Sequence, residues 1–204
     1  MPLKTVNNTG SNVKEIKEII DMGRRLDELT LEVYSQFAKR DEFDPALIAL
    51  WSDMALWKKD HLKHWKKISK SFVYQNIFNK TNEDLKTIIK QMKNIQSELV
   101  EFLRRLRKKT ITQNEAVSQT ILNEFCMISD IFLEIFYTYG ETLEDRSAGF
   151  VQECGAHLER MADTLRPYMR LNPLYAVLLK SMVEFKYKYD VLESMYGKKR
   201  KAAG

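Results

Sequence analysis

Glycine, proline and cysteine are scarce in this chain, and each shortage excludes a class of structure. Only 7 of the 204 residues are glycine and 4 are proline. With so few turn-forming residues, and with Leu, Glu, Lys, Met and Ile recurring at three- and four-residue intervals, the sequence predicts an all-α protein without strands. The only cysteines, Cys126 and Cys154, form no CxxC pair. That excludes a disulfide framework, a cysteine-ligated iron knot and a zinc ribbon.

Long apolar runs are also missing. The N-terminal MPLKTVNNTG contains no apolar core of a signal peptide, and no later stretch approaches the ~18 consecutive apolar residues of a membrane span. We therefore expect a soluble, cytoplasmic protein without a membrane partner. Because no linker rich in Pro, Gly or Ser divides the chain, we expect a flexible N-terminus over 1–10, a single helical domain over 11–196 and a basic disordered tail over 197–204.

Positive charge is in excess, with a formal net charge of +5. Much of it lies in two runs, one over 104–109 and one over 198–201. Both runs fall at the ends of predicted helices, where cations are favoured, and neither is interleaved with aromatic residues. Solvated helix ends are therefore the favoured interpretation, and nucleic acid is not the expected partner.

Capping residues set the helix boundaries. The predicted helices run from Ser11 to about Lys39, from Asp44-Pro45 to about Phe72, over 82–109, from a capping box at Thr112 and Glu115 to a point before Gly140, over about 144–170, and from Asn172-Pro173 to about Tyr196. Two long hairpins joined by the segment 82–109 describe a four-helix bundle with a crossover helix. The apolar face of the last helix favours docking on the bundle, with homodimerisation as the alternative.

Ionisable residues interrupt the apolar stripes of these helices. Asp27 shares its side of the first helix with Ile20 and Tyr34, whereas Glu28 lies among charged residues, so Asp27 is the inward acid. A single inward Lys, Glu or His is usually a snorkelling or hydrogen-bonded core residue. Here all four bundle helices contribute, which favours a shared polar site. The inward groups are Asp27, Lys58, His61, Glu124, Cys154 and His157.

Their spacing carries a family resemblance. The patterns are Asp27-x-x-Thr30-x-x-x-Tyr34, then Trp51-x-x-Met54-Ala55-x-x-Lys58-x-x-His61, the segment 111–116 leading to Glu124, and Cys154-x-x-His157. Over about residues 13–168 the chain resembles the rubrerythrin branch of the ferritin-like superfamily. The resemblance implies a ferritin-like bundle with a di-iron centre, in which these six inward residues occupy the ligand places. Tyr34, Trp65 and Tyr168 lie on the same faces and are expected to surround the ligands.

The chain departs from the family at the acids. Both E-x-x-H motifs of the family have lost their glutamate, with Lys58 and Cys154 in its place. A di-iron centre needs about four carboxylates, and an ammonium group beside His61 would repel a metal. We therefore expect the ordinary di-iron site to be lost. The leading hypothesis is a metal-free core in which Lys58 lies between Asp27 and Glu124 and replaces part of the missing positive charge.

Other sites and functions stay open at this point. Glu124, Cys154 and His157, with Glu153 as a fourth ligand, offer the O, S and N donors of a single Zn²⁺ or Fe ion.

Three classes of function follow. The first is a structural, binding or regulatory bundle without di-iron chemistry. The second is a rubrerythrin-like oxidoreductase that reduces peroxide or oxidises ferrous iron with an external electron donor, using Asp27, His61, Glu124 and His157. The third is a basic bundle that binds nucleic acid or an acidic partner.

Overall fold

The computed structural model describes residues 13–69, 82–127, 156–157, 159–171 and, further on, the single positions 176, 177, 180, 181, 184 and 187. Its elements are α1 (Val13–Phe37), α2 (Pro45–Ile68), α3 (Asn82–Arg107), α4 (Gln113–Met127) and a 3-10 helix (Arg166–Leu171). No strand occurs within these ranges, so the all-α prediction is confirmed for them. None of their helices is long and apolar enough to cross a membrane.

Two helix starts follow the capping residues of the sequence. The backbone N–H of Ala46 donates to Asp44 Oδ1 at 2.8 Å, and Pro45 occupies the first turn of α2. Before α4, the Thr112 N–H donates to Glu115 Oε2 at 2.9 Å, and the Glu115 N–H donates to Thr112 Oγ1 at 3.3 Å. This reciprocal pair is the predicted capping box.

The end of α3 is closed by a lysine in a left-handed conformation. Lys109 has a φ of 57°. Its N–H donates to the Leu106 carbonyl at 2.9 Å, and the Thr110 N–H donates to the Arg105 carbonyl at 3.3 Å. These two bonds form a Schellman motif, in which the left-handed position is usually glycine.

The helix predicted over about 144–170 changes from an α-helix to a 3-10 helix before its end. The described positions over 156–165 are α-helical, and the chain then tightens into the 3-10 helix at Arg166. Pro167 explains the change, because proline offers no N–H to an α-helical hydrogen bond and disfavours the α conformation of the residue before it. In the last predicted helix the described positions are helical, and Val177 is 59% exposed. The sequence places Val177 on the apolar face of this helix, so the docking expected of that face does not cover Val177.

The chain divides into two compact units. The first unit comprises Met1–Gln36 and Ser52–Thr110, and the second comprises Phe37–Trp51 and Ile111–Gly204. The core of the first unit consists of apolar faces of α1, α2 and α3, including Ile16, Ile19, Ile20, Leu26, Met54, Leu85, Met92, Leu99 and Leu103. The single domain expected over 11–196 stays a prediction.

Aromatic side chains fill the core of the second unit. The rings of Phe37 and Phe43 lie 4.7 and 5.6 Å from the ring of Trp51, measured between centroids. The Trp51 indole N–H donates to Thr120 Oγ1 at 2.8 Å, so the start of α2 is fixed to α4 by both packing and a buried hydrogen bond. Ile111, Val117, Ile121, Met161 and Leu165 are buried in the same unit.

Candidate functional site

The candidate site of the first unit is built around the carboxylate of Asp27, which is fully buried. Lys58 Nζ lies 3.2 Å from Asp27 Oδ1. The other oxygen, Oδ2, accepts a 2.6 Å hydrogen bond from the Trp65 indole N–H and lies 3.5 Å from His61 Nδ1. One carboxylate is thus surrounded by an ammonium, an imidazole and an indole.

The spacing of α2 explains why three donors reach the same acid. Lys58, His61 and Trp65 are related by steps of three and four residues, so they lie on one face of the helix. All three are buried, with Lys58 only 1% exposed. The sequence predicted this face, and it predicted Trp65 near the ligands without identifying it as a donor to Asp27.

The choice between the neighbouring acids Asp27 and Glu28 of α1 also follows the helical wheel. The Glu28 side chain is 38% exposed and forms ion pairs with Arg24 and Arg25. Asp27, one residue earlier, points to the other side among buried residues. The assignment of Asp27 as the inward acid is therefore confirmed.

The surroundings of Asp27 keep it ionised. Burial alone raises the pKa of this carboxyl group, but the Lys58 charge and the hydrogen bonds from His61 and Trp65 outweigh burial and lower the pKa to about 2. At neutral pH the site therefore contains a carboxylate and not a carboxylic acid. An ionised group in an apolar core is tolerable only because its partners surround it.

A second indole covers the site. The Trp57 ring lies 3.8 Å from the His61 ring between centroids, at an interplanar angle of 52°. Lys58 Nζ lies 4.9 Å from the centroid of the Trp57 ring, within the range of a cation–π interaction. Trp57 is half-buried, so part of its ring contacts the buried site and part remains accessible to solvent.

The second unit holds another group of buried polar residues. Glu124 is fully buried and His157 is 2% exposed, as the apolar stripes predicted. Thr120 and Asn123, which the sequence analysis did not single out, are buried as well. Thr120 Oγ1 donates to the Ala116 carbonyl at 2.8 Å. Thr120 lies four residues before Glu124, and Asn123 lies three residues after Thr120, so the helical wheel was the signal that could have found both.

The remaining predicted site residues divide into two groups. Tyr34 is fully buried in α1. The Tyr168 hydroxyl donates to Asp44 Oδ2 at 2.6 Å, and burial together with this bond raises the tyrosine pKa to about 12. Tyr168 thus supports the cap of α2. Glu153 and Cys154 lie outside the described residues.

The donors around Asp27 do not fit a di-iron centre. Such a centre needs bridging carboxylates, whereas the residue one helical turn before His61 is a lysine whose ammonium already contacts the acid. In the part of the chain that the structure describes, no three His, Cys, Asp or Glu side chains are grouped as a metal site would require. The set predicted around Glu124 and His157 includes Glu153 and Cys154, so this observation does not test that set.

Carboxylates neutralise part of the basic run at the end of α3. Arg104 donates two hydrogen bonds to Glu101, at 2.7 and 2.5 Å. Arg107 donates to Glu32 at 2.5 Å. These two guanidinium groups are therefore engaged within the first unit, which weakens the case for a nucleic-acid surface.

The chain matches no protein-family model, no curated protein and no solved structure. The resemblance to rubrerythrins rests on the spacing of the inward residues and stays a prediction.

Proposed function

We propose that this chain is a degenerate ferritin-like bundle that has lost di-iron chemistry and acts as a structural, binding or regulatory protein. The observation that carries the proposal is the buried ion pair between Lys58 and Asp27. It lies where the resemblance to rubrerythrins would require two metal-binding carboxylates.

The charge balance of the first unit supports this proposal. Two iron ions are hard cations that need several carboxylates to neutralise them. Around Asp27 the negative charge of one carboxylate is already balanced by the Lys58 ammonium, and His61 and Trp65 occupy its other oxygen. No surplus negative charge is left at this carboxylate to attract iron. A fold alone does not bring an activity, so the missing acids count directly against di-iron catalysis.

The test is the metal content of the full-length protein purified without chelator. We expect no stoichiometric iron, no near-ultraviolet absorption of an oxo-bridged ferric pair, and no oxidation of added ferrous iron above the rate in buffer. Stoichiometric iron that is lost in the Asp27→Asn and His61→Ala variants would contradict the proposal.

A second candidate is a bundle that binds a single zinc or iron ion in its second unit. The burial of Glu124 and His157 in the second unit favours it, because a buried carboxylate and imidazole are suitable oxygen and nitrogen ligands. Cys154 and Glu153 would complete the set. Elemental analysis of Glu124→Gln, Cys154→Ser and His157→Ala tests it, since each variant should lose zinc or iron that the parent protein binds.

A further inference from the structure

We propose that the Asp27 carboxylate is a cation site whose native occupant is the ammonium group of Lys58, which thereby keeps divalent metal ions away from Asp27 and His61 in the first unit. This inference deepens the proposed function, on which it rests, because it names the group that takes the place of a metal. The ammonium belongs to the chain itself and needs no external ligand.

The geometry around Asp27 divides its two oxygens between different partners. Oδ1 faces Lys58 Nζ at 3.2 Å, whereas Oδ2 faces His61 Nδ1 and accepts the Trp65 hydrogen bond. The side chains of both members of the ion pair are 1% exposed. The ammonium is therefore held beside an anionic oxygen in a place that solvent does not reach.

An attached cation has an advantage over a dissolved one. Lys58 is fixed on α2, so its ammonium acts at a high effective concentration and loses no translational freedom on binding Asp27. A divalent ion would have to displace this ammonium and then remain close to it, since the lysine stem cannot leave the core without exposing apolar surface. The lysine thus excludes metals by competition and by repulsion.

A single substitution should reverse this selectivity. Lys58→Glu replaces the cation with a carboxylate three residues before His61, so both side chains lie on the α2 face that contacts Asp27. The first unit would then offer two carboxylates and one imidazole, which suit Zn²⁺ or Co²⁺. It would also place an excess of negative charge in the core, which a metal ion would relieve.

The experiment compares full-length wild type, Lys58→Glu and Lys59→Glu after removal of bound metal. Lys59 is the matched control, because it is the next residue of α2, is exposed and undergoes the same change of charge. Without metal we expect Lys58→Glu to melt below the wild type. Saturating Co²⁺ should raise its Tm by about 5 °C or more and produce a visible absorption band. Wild type and Lys59→Glu should show neither effect, and adding His61→Ala to Lys58→Glu should abolish both.

Lys58→Gln provides a second test if Lys58→Glu does not fold. The glutamine is neutral, is close to lysine in length and can donate a hydrogen bond to Asp27. We expect a Tm that rises with Co²⁺ concentration, which the wild type should lack. The inference is overturned if neither variant gains Co²⁺ binding, or if the wild type binds Co²⁺ through Asp27 and His61 with Lys58 in place. Stoichiometric iron bound through Asp27 and His61 in the native protein would overturn the proposed function, whereas a native first unit without metal whose variants bind no Co²⁺ would overturn this inference alone.

Discussion

At the scale of single residues, the stability of the first unit depends on how Asp27 is compensated. A buried ion pair adds little net stability compared with apolar residues of the same volume, since both charges lose their hydration. Removing one partner is different, because it leaves the other charge buried without compensation, at a typical cost of about 3–5 kcal/mol. Replacing only Lys58 or only Asp27 should therefore destabilise the first unit more than replacing both with apolar residues.

Acid should destabilise the protein through Asp27. The pKa of this group is about 2 in the folded state, below its ordinary value of 3.8. A lowered pKa contributes stability that is fully present above the unfolded value and is lost as the pH falls from about 4 towards 2. The contribution is about 2 kcal/mol at neutral pH. Urea unfolding measured between pH 2 and 6 should show this loss.

Two variants test whether Asp27, and not another acid, causes this loss of stability at low pH. Asp27→Asn should be less stable than wild type at pH 7 and should lack this part of the acid dependence. Glu28→Gln changes the neighbouring, exposed acid and should keep both the stability and the pH profile of wild type. If Asp27→Asn lost stability with acid as steeply as wild type, another group would be responsible.

The sequence predicts which side chains of the site point into the core, but not which of their atoms come into contact. The helical wheel distinguishes Asp27 from Glu28 and turns Lys58 and His61 inward, because the period of a helix is fixed. It does not give which atoms meet across two helices. That the Trp65 indole donates to Asp27 depends on how α1 and α2 pack, and the tilted contact between the Trp57 and His61 rings depends on the rotamers of two side chains within α2.

At the scale of the elements, the sequence predicts the features that depend on neighbouring residues and does not predict the unusual backbone conformations. The capping box of α4 and the Asp-Pro start of α2 need only neighbouring residues, so the sequence was sufficient to predict them. The sequence analysis predicts one continuous helix over about 144–170 and not the change to a 3-10 helix at Arg166, although Pro167 is a signal for that change. The left-handed Lys109 had no signal, because a lysine in that conformation does not differ in sequence from any other lysine.

Replacing Lys109 with glycine should stabilise the protein. The left-handed conformation is sterically unfavourable for a residue with a Cβ atom, whereas glycine adopts a φ of 57° without this steric energy cost. After the greater flexibility of glycine in the unfolded chain is subtracted, we expect a gain of about 0.5–1 kcal/mol in the free energy of unfolding. Lys108→Gly is the control, since it removes the same charge from the adjacent position and should not stabilise. Equal effects of the two variants would show that charge, and not conformation, is responsible.

At the scale of the whole molecule, composition was enough for the all-α class and not for the arrangement of the helices. The scarcity of glycine and proline and the helical period of the sequence agree with the four described α-helices, α1 to α4. How hairpins pair depends on contacts between residues far apart in the chain, which periodicity does not encode. The four-helix bundle with a crossover helix over 82–109 therefore stays a prediction.

Net charge is a property of the whole chain, but its effect depends on where the charges are engaged. Arg104 and Arg107 are bound by Glu101 and Glu32, so we expect wild type to bind duplex DNA only weakly and only at low salt. The double variant Glu32→Gln and Glu101→Gln frees both guanidinium groups. Its binding should tighten, and the dependence of log K on log salt should steepen by up to about two counterions.

The control for this prediction carries the same added charge elsewhere. Asp41 and Asp53 are exposed acids, and Asp41→Asn with Asp53→Asn raises the net charge from +5 by the same amount. Fluorescence anisotropy with a labelled duplex, titrated at several salt concentrations, compares the three proteins. If binding increases equally in both double variants, the effect is a general attraction of DNA to the net charge of the protein, which added salt screens. If DNA binding increases only when Glu32 and Glu101 are replaced, the end of α3 is a basic surface whose binding of DNA these two carboxylates suppress.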